Sequence, residues 1–448
     1  MYQIFKTKES SFVKPPSFVP SGTLEIESNG TYDISSKEFV NVLVESKKIA
    51  QVAVSNVSTW ILTKSGDLYG CGRGETGEQG TGNSSNVYVF TKRMTDVKKV
   101  FCSRYSDLGN TTWVIKKDGT LWGTGYATYG QQGDGNTSTH SVYTFTQRMT
   151  DVKDAFVYNT MTWVIKNDNS LWGSGDNTGG QMGLGTNTPE RVGSFRKIMD
   201  NVKKAQLFSY RSGIILKTDG TLWNFGQGSN YVEVVIYLRQ RLDNVIDFVV
   251  PKKEGSGDNT NCWAIRADGT LWGCGVNPYG QQGNGQSGRS SSSNVKNFTQ
   301  RLTNVKSVAC SGATTWAIKN DGTLWGCGYG AYGQQGSGST DSVLTFTQRM
   351  SNVEKVDCLE DLTTALKTDG TLWSCGNNNY GQQGDGSTTP SNVFAKKMDN
   401  VKDFYMQENV TWALKNDNTL WGTGRNNYGQ QGSGNTNNVY KFTQRTFG

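Results

Sequence analysis

The sequence predicts an all-β fold: a β-propeller of eight four-stranded blades, with a small β segment ahead of it. Three observations predict this. A tripeptide of the form LWG returns eight times, beginning at Leu68, Leu121, Leu171, Leu222, Leu271, Leu324, Leu372 and Leu420, at an average step of about 50 residues. A turn signal precedes each copy at a constant distance. The 448 residues include 55 glycines, which favours many tight turns and disfavours long helices. Each unit holds four or so short strands, with no helical periodicity and no parallel-sheet crossover. Radial repetition hides the edges of so many strands.

Residues 1–46 do not match the repeat. Pro15-Pro16 marks an extended arm. The string SGTLEIESNGTYDISSKEFVNVLVE then reads as a strand, an Asn29-Gly30 turn, a second strand, and a third at Phe39 to Val44. Residues 47–448 form the propeller. A full unit, Val97 to Met149, holds a strand VKKVFC, a hairpin TTWVIKKDGTLWGTG, a loop YATYGQQGDGNTSTHSV and a last strand YTFTQRM. In the hairpin, Asp118-Gly119 suits a two-residue turn with positive φ, and Asp321-Gly322 is one of its copies. Asp168-Asn169 and Asp417-Asn418 keep the turn with Asn. Unit four, Leu222 to Leu242, carries YVEVVIYLRQRL in place of the glycine-rich loop. Unit one starts near Ile49 with no strand of the last type before it. The C-terminal strand Phe442 to Arg445 is therefore expected to complete the first blade and close the ring.

Tryptophan follows the same ruler. One column precedes the turn by five residues: Trp60, Trp113, Trp163, Trp263, Trp316 and Trp412. The other follows it: Trp122, Trp172, Trp223, Trp272, Trp325, Trp373 and Trp421. Together they hold all 13 tryptophans, a regularity that packing between successive blades demands and an irregular functional cluster would lack.

The loop after each hairpin reads YGQQG from Tyr129, Tyr279, Tyr332, Tyr380 and Tyr428, GGQMG from Gly179 and TGEQG from Thr76. It resembles the regulator-of-chromosome-condensation repeat over about Lys47 to Gly448. The resemblance implies a propeller, with seven blades as the family norm where eight units stand here. That family often carries His where this chain has Trp. The segment GTLEIESNGTYDI…VNVLV is similar, over about 25 residues, to small β modules of tail and other structural proteins of phages of Gram-positive bacteria.

Candidate sites are few. A basic residue recurs near the end of the last strand, at Arg93, Arg148, Arg241, Arg301, Arg349, Lys397 and Arg445. Symmetry makes these a ring that either pairs with turn aspartates of neighbouring blades or binds anions and partners. The repeated glutamines read as ties for their own loops. The eight cysteines fall in columns and read as small buried hydrophobes, with Cys310–Cys327 and Cys358–Cys375 left as pairs that oxidation could join. The single histidine, His140, reads as a loop residue and not a base. No Ser/His/Asp set, nucleotide loop or metal cluster is visible, so neither catalysis nor a cofactor is expected. A net charge of +7 over 45 basic and 38 acidic residues falls short of a nucleic-acid footprint, and no run spans a membrane or forms a signal peptide.

These readings point to a non-enzymatic phage virion protein present in multiple copies, a tail, baseplate or particle-surface component that serves host-surface recognition or stabilises the particle. Residues 1–46 would attach it to other virion proteins, and the variable loops would face a host-surface polymer or protein. The rival reading is a bacterial propeller that binds or inhibits a soluble protein. A nucleotide-exchange factor ranks behind both.

Overall fold

The computed structural model describes residues 23–26, 30–33 and 47–447, apart from the loop segments 104–109, 159, 181, 185–188, 210–211, 227–234, 252–260, 289 and 360. Near the N-terminus, Thr23–Ile26 pairs antiparallel with Gly30–Asp33, Thr23 opposite Asp33. The expected third strand at 39–44 and the Pro15-Pro16 arm lie outside the described residues.

The remainder is eight sheets of four strands arranged in a ring, each sheet built from consecutive antiparallel segments. Blade 6 is typical, with Val305–Cys310, Thr314–Lys319, Leu324–Gly328 and Val343–Met350 running from the axis outward. The second strand is buried along almost its whole length because it is covered on both faces by the neighbouring blades. The fourth alternates toward solvent as an outer strand should. In blade 4, Val235–Leu242 supplies the fourth strand although the glycine-rich loop is missing from its sequence.

The hairpin turn is one residue longer than the two-residue reading. Lys116 N–H donates to Thr120 O (2.9 Å) and Gly119 N–H to Lys116 O (3.0 Å), so Lys117, Asp118 and Gly119 form the loop. Only its last position is left-handed, at φ 81° for Gly119 and 78° for Gly322. This is a type I turn closed by a bulge, which suits strand twist as well as the two-residue form. The aspartate caps its own turn: Asp118 Oδ1 accepts from Thr120 N–H (2.9 Å) and from its hydroxyl (2.7 Å).

Core lies between blades, not within them. Trp316 of blade 6 has no exposed surface and meets Phe394, on the fourth strand of blade 7, edge-on at 5.7 Å. The same contact joins Trp60 to Phe145, Trp113 to Phe195, Trp263 to Phe346 and Trp412 to Phe90. The last glycine of each GQQG loop fits beneath that phenylalanine, and a Cβ on Gly336 would stand 2.5 Å from the Phe394 ring. Trp163 departs from the pattern and stacks on Phe225 of blade 4 at 5.2 Å.

The last of these contacts, Trp412 on Phe90, closes the ring. The expected completion of blade 1 by the C-terminal strand does not occur. Blade 1 has its own fourth strand, Val87–Met94, and Val439–Arg445 pairs within blade 8. The propeller begins on a first strand and ends on a fourth, so every blade is complete. Gly434 N–H of blade 8 donates to Tyr88 O of blade 1 (2.9 Å), as Gly386 N–H does to Tyr440 O between blades 7 and 8 (2.8 Å).

The two cysteine pairs also need correction. Cys310 and Cys327 each lie opposite Thr315, and Cys358 and Cys375 each lie opposite Thr363. One strand separates the partners, about 9–10 Å, beyond the reach of a disulfide. The pair that does face across neighbouring strands is Cys262 and Cys274.

Candidate binding faces

Antiparallel order sends the loops between strands one and two, and between three and four, to one face of the ring. The hairpin turns and the links between blades open on the other. Between the faces runs a central channel of about 590 Å³, lined by first strands of all eight blades.

The loop face is built on the glutamines. The Tyr332 N–H donates to Gln334 Oε1 (2.9 Å), and Tyr129, Tyr279, Tyr380 and Tyr428 are held the same way by their own glutamines. The amide of Gln281 reaches across to Gly312 O of the next blade (3.1 Å), and that of Gln430 to Asn56 O (3.1 Å). Pinned backbones aim the tyrosine rings. Tyr279 meets Tyr329 of the next blade at 4.5 Å, and Tyr329 meets Tyr332 at 6.1 Å. Arg425 lies over Tyr380 (5.7 Å), Arg73 over Tyr428 (5.6 Å) and Arg191 over Tyr129 (4.8 Å). The aromatic positions thus form an arc through blades 5, 6, 7 and 8, interrupted at blade 1, whose loop carries Thr76, and resumed by Tyr129 in blade 2; Tyr332 of blade 6 is 46% exposed.

The turn face is organised by the second tryptophan column. Trp122, Trp172, Trp272, Trp325 and Trp421 stop half-buried, unlike the fully enclosed Trp113, Trp163, Trp263, Trp316 and Trp412. Each donates its indole N–H to the turn hydroxyl, as Trp325 does to Thr323 (2.9 Å). Each also lies under the cation that ends the second strand, at 4.3 Å for Lys319 over Trp325.

This architecture has solved counterparts. Residues 362–382 match the Regulator of chromosome condensation (RCC1) repeat. The chain superposes on human WBSCR16 with a TM-score of 0.56 at 18% identity, covering 73% of this chain and 93% of that one. It also superposes on yeast RCC1 (Prp20) in its complex with Kap60, with a TM-score of 0.54 at 14% identity over 88% and 90% of the two chains. Prp20p of Saccharomyces cerevisiae, described with its binding to Gsp1p and histones, gives 0.54 at 16% identity over 79% and 88%. The chain is a β-propeller whose fold is similar to that of these RCC1-type structures. At such identities the likeness concerns the fold. No curated protein matches in sequence.

In this propeller the seven cations of the outer strands do not form a solvent-facing ring, nor do they pair with neighbouring turn aspartates. Six of them, Arg93, Arg148, Arg241, Arg301, Arg349 and Lys397, are the extra residue of a β-bulge opposite the third strand. The bulge shifts the strand's alternation and turns these side chains inward. Burial pulls the pKa of Arg301 and of Arg349 down, against the opposing influence of Cys327 and Cys375 respectively. Where carboxylates meet the ring they come from the same blade's loop: Asp134 near Arg148 (3.7 Å) and Asp385 with Lys397 (2.5 Å). Arg445, outside a bulge, donates to Gln431 O (2.8 Å).

His140 is held tighter than a loop residue need be. Its Nε2 faces Asp134 Oδ2 (2.9 Å) and its Nδ1 faces Ser138 O (2.8 Å). Two acceptors require two N–H donors, the imidazolium form. Burial lowers its pKa, but the bonds to Ser138 and Asp134 outweigh that, and the group titrates above its ordinary 6.5. The stabilisation is complete below pH 6.5 and fades as pH rises through the raised pKa. Titration of this lone histidine by NMR is expected to give a value above 6.5, and Asp134→Asn to bring it down. A wild-type value at or below 6.5 would contradict the arrangement.

One feature escaped the sequence reading. The third residue of successive first strands bridges adjacent blades at the channel: Lys99 to Asp154 (3.2 Å), Lys204 to Asp247 (2.7 Å) and Lys355 to Asp403 (2.6 Å). The signal was present as Lys or Asp two residues after the initial Val in six of the eight blades. Among the described residues no group of three or more His, Cys, Asp or Glu is placed to hold a metal. No helix there is long and apolar enough to cross a membrane.

Proposed function

We propose that the chain is a non-enzymatic, protein-binding propeller whose partner docks on the loop face along the tyrosine arc. The observation that carries this is the arc itself, in which tyrosine rings stand on loops pinned by buried glutamines and arginine guanidinium groups lie over three of them. Tyr and Arg dominate binding energy at protein interfaces, and rigid mounting limits the ordering cost. The loops around them, such as NNNYGQQGDGSTTPSN, have the Tyr, Ser, Gly and Asn composition of antibody paratopes. The structural neighbours give the reading a precedent, since yeast RCC1 is described bound to Kap60.

The test places a photo-crosslinking amino acid at Tyr332 or Tyr380 and, as a control, at the outer-strand Val89. One protein joined at both tyrosine positions and not at Val89 is expected. Combined Tyr332→Ala, Tyr380→Ala and Tyr428→Ala substitution is expected to weaken that partner by roughly a hundredfold or more without lowering the melting temperature. Equal capture at Val89, or unchanged affinity of the triple variant, removes the arc from the binding site.

A second reading, a virion component anchored through residues 1–46, rests on the N-terminal string alone. Its host-surface partner would then be the arc's ligand. Purified particles from the source strain, examined by mass spectrometry, test it: absence of the chain from every particle ends that reading and leaves the arc proposal intact.

A further inference from the structure

All eight first strands carry a β-bulge at their second residue, between Val305 and Ser307 in blade 6 and at the equivalent place in the others. A bulge re-aims one side chain. Here it directs the second residue away from the blade seam, and all eight of these residues are exposed. Because the following residues line the channel, the bulges form a collar around its mouth on the turn face.

The collar is strongly one-signed. It consists of Ala50, Lys98, Lys153, Lys203, Ile246, Lys306, Glu354 and Lys402, five lysines against one carboxylate. None of the five lysines is in an ion pair among the described residues. Lys153 donates to Asn169 Oδ1 (2.7 Å) and Lys203 to Ile246 O (3.2 Å), both neutral acceptors. The charges immediately below cancel through the Lys99–Asp154, Lys204–Asp247 and Lys355–Asp403 pairs. Outward, the zone is balanced as well, because each turn aspartate stands close to the cation that ends the second strand, as Asp321 does to Lys319. Lysines without an ion-pair partner therefore gather at the rim of the channel, with the exposed Asp96 and Asp151 of the blade links two residues before Lys98 and Lys153.

We infer that this collar is a second binding site, separate from the loop face, which takes a short acidic peptide segment of a partner protein end-on. A closed ring around an opening suits the end of a flexible chain, whose carboxylates can spread to lysines on several blades at once. A nucleic acid needs an extended basic track. One crossing this face would leave the collar after a few phosphates and meet the exposed aspartates of the turns, Asp118 and Asp321 among them.

The experiment measures fluorescence anisotropy of a labelled oligo-glutamate peptide against the full chain at low and moderate salt. Binding that weakens with salt is expected. Lys98→Gln, Lys306→Gln and Lys402→Gln together are expected to weaken it roughly tenfold or more. Glu354→Lys, which cannot act by loss of folding, is expected to tighten it severalfold. Lys296→Gln with Lys441→Gln, on the outer strands, is expected to leave it unchanged. No binding at low salt, an unaltered triple variant, or equal weakening by the outer-strand pair overturns the site. A single-stranded oligonucleotide of equal charge that binds tighter at the same lysines overturns the peptide assignment. None of these outcomes bears on the tyrosine arc, which lies on the opposite face.

Discussion

Trp412→Ala is expected to cost about 3–5 kcal/mol and to open the ring where its two ends meet. Trp412 has no exposed surface and packs 5.9 Å from Phe90, in a cluster that joins Val410, Leu414 and Leu420 of blade 8 to Ile49, Val52 and Ile61 of blade 1. At every other seam the chain itself runs from one blade to the next. At this one no linking segment runs between the blades, and among the described residues packing and hydrogen bonds hold it. Among those bonds are Ile49 N–H to Asn418 Oδ1 (3.0 Å) and Gln407 Nε2 to Asn56 Oδ1 (3.2 Å). Trp316→Ala removes an equivalent ring from an internal seam and is expected to lose similar stability by urea denaturation. The two should differ in hydrogen exchange. In Trp412→Ala the amides of Ile49 and Gly434 should exchange through local opening, well before global unfolding. In Trp316→Ala they should stay protected. Equal protection in both variants would show that the closing seam has no special dependence on Trp412.

The blade count, the strands of each blade and the buried tryptophan column were legible because they depend on spacing, and packing between repeats keeps spacing constant. Which strand pairs with which was not. The hydrophobic pattern of Phe442 to Arg445 identifies a fourth strand but says nothing about whether its sheet is the first or the last. That is why closure by strand exchange was expected and complete blades were found. The outer-strand cations failed for a different reason. Along TQRM the period of two assigns Arg349 to solvent, but the bulge between Gln348 and Met350 breaks that period and turns it inward. Blade 3 carries Ile198 at this position, and its side chain lies 2.8 Å from where a Cβ on Gly173 would be, an inward placement that an apolar residue there requires. That isoleucine was the sequence signal for burial. Bulges in the first strand acted in the opposite sense and brought the lysine collar outward, where the run VKKV gave no hint of which lysine faces the channel mouth. The tyrosine arc was not legible because the spacing of YGQQG shows that the loop repeats, whereas the direction of the Tyr ring depends on the Gln bond to the Tyr N–H and on contacts with the next blade.

A last relation was written in the sequence but needs the register to be read. Trp316 lies opposite Gly326, and a Cβ there would stand 2.4 Å from the indole ring, so the third residue of LWG must be glycine wherever the first column is Trp. The two blades without that Trp break both rules together: Ile214 faces Asn224 and Thr364 faces Ser374. Gly326→Ser is therefore expected to destabilise by about 1–3 kcal/mol through overpacking, and Trp316→Thr by about 3–5 kcal/mol through loss of the ring. The double variant reproduces the pair found in blade 7. Its loss is expected to fall short of the sum by at least about 1 kcal/mol, since the serine no longer meets an indole. Urea denaturation of the four proteins measures this coupling. Additivity within about 0.5 kcal/mol would mean that the indole moves aside at little cost, and that the pairing of Trp with Gly across these strands has a cause other than space.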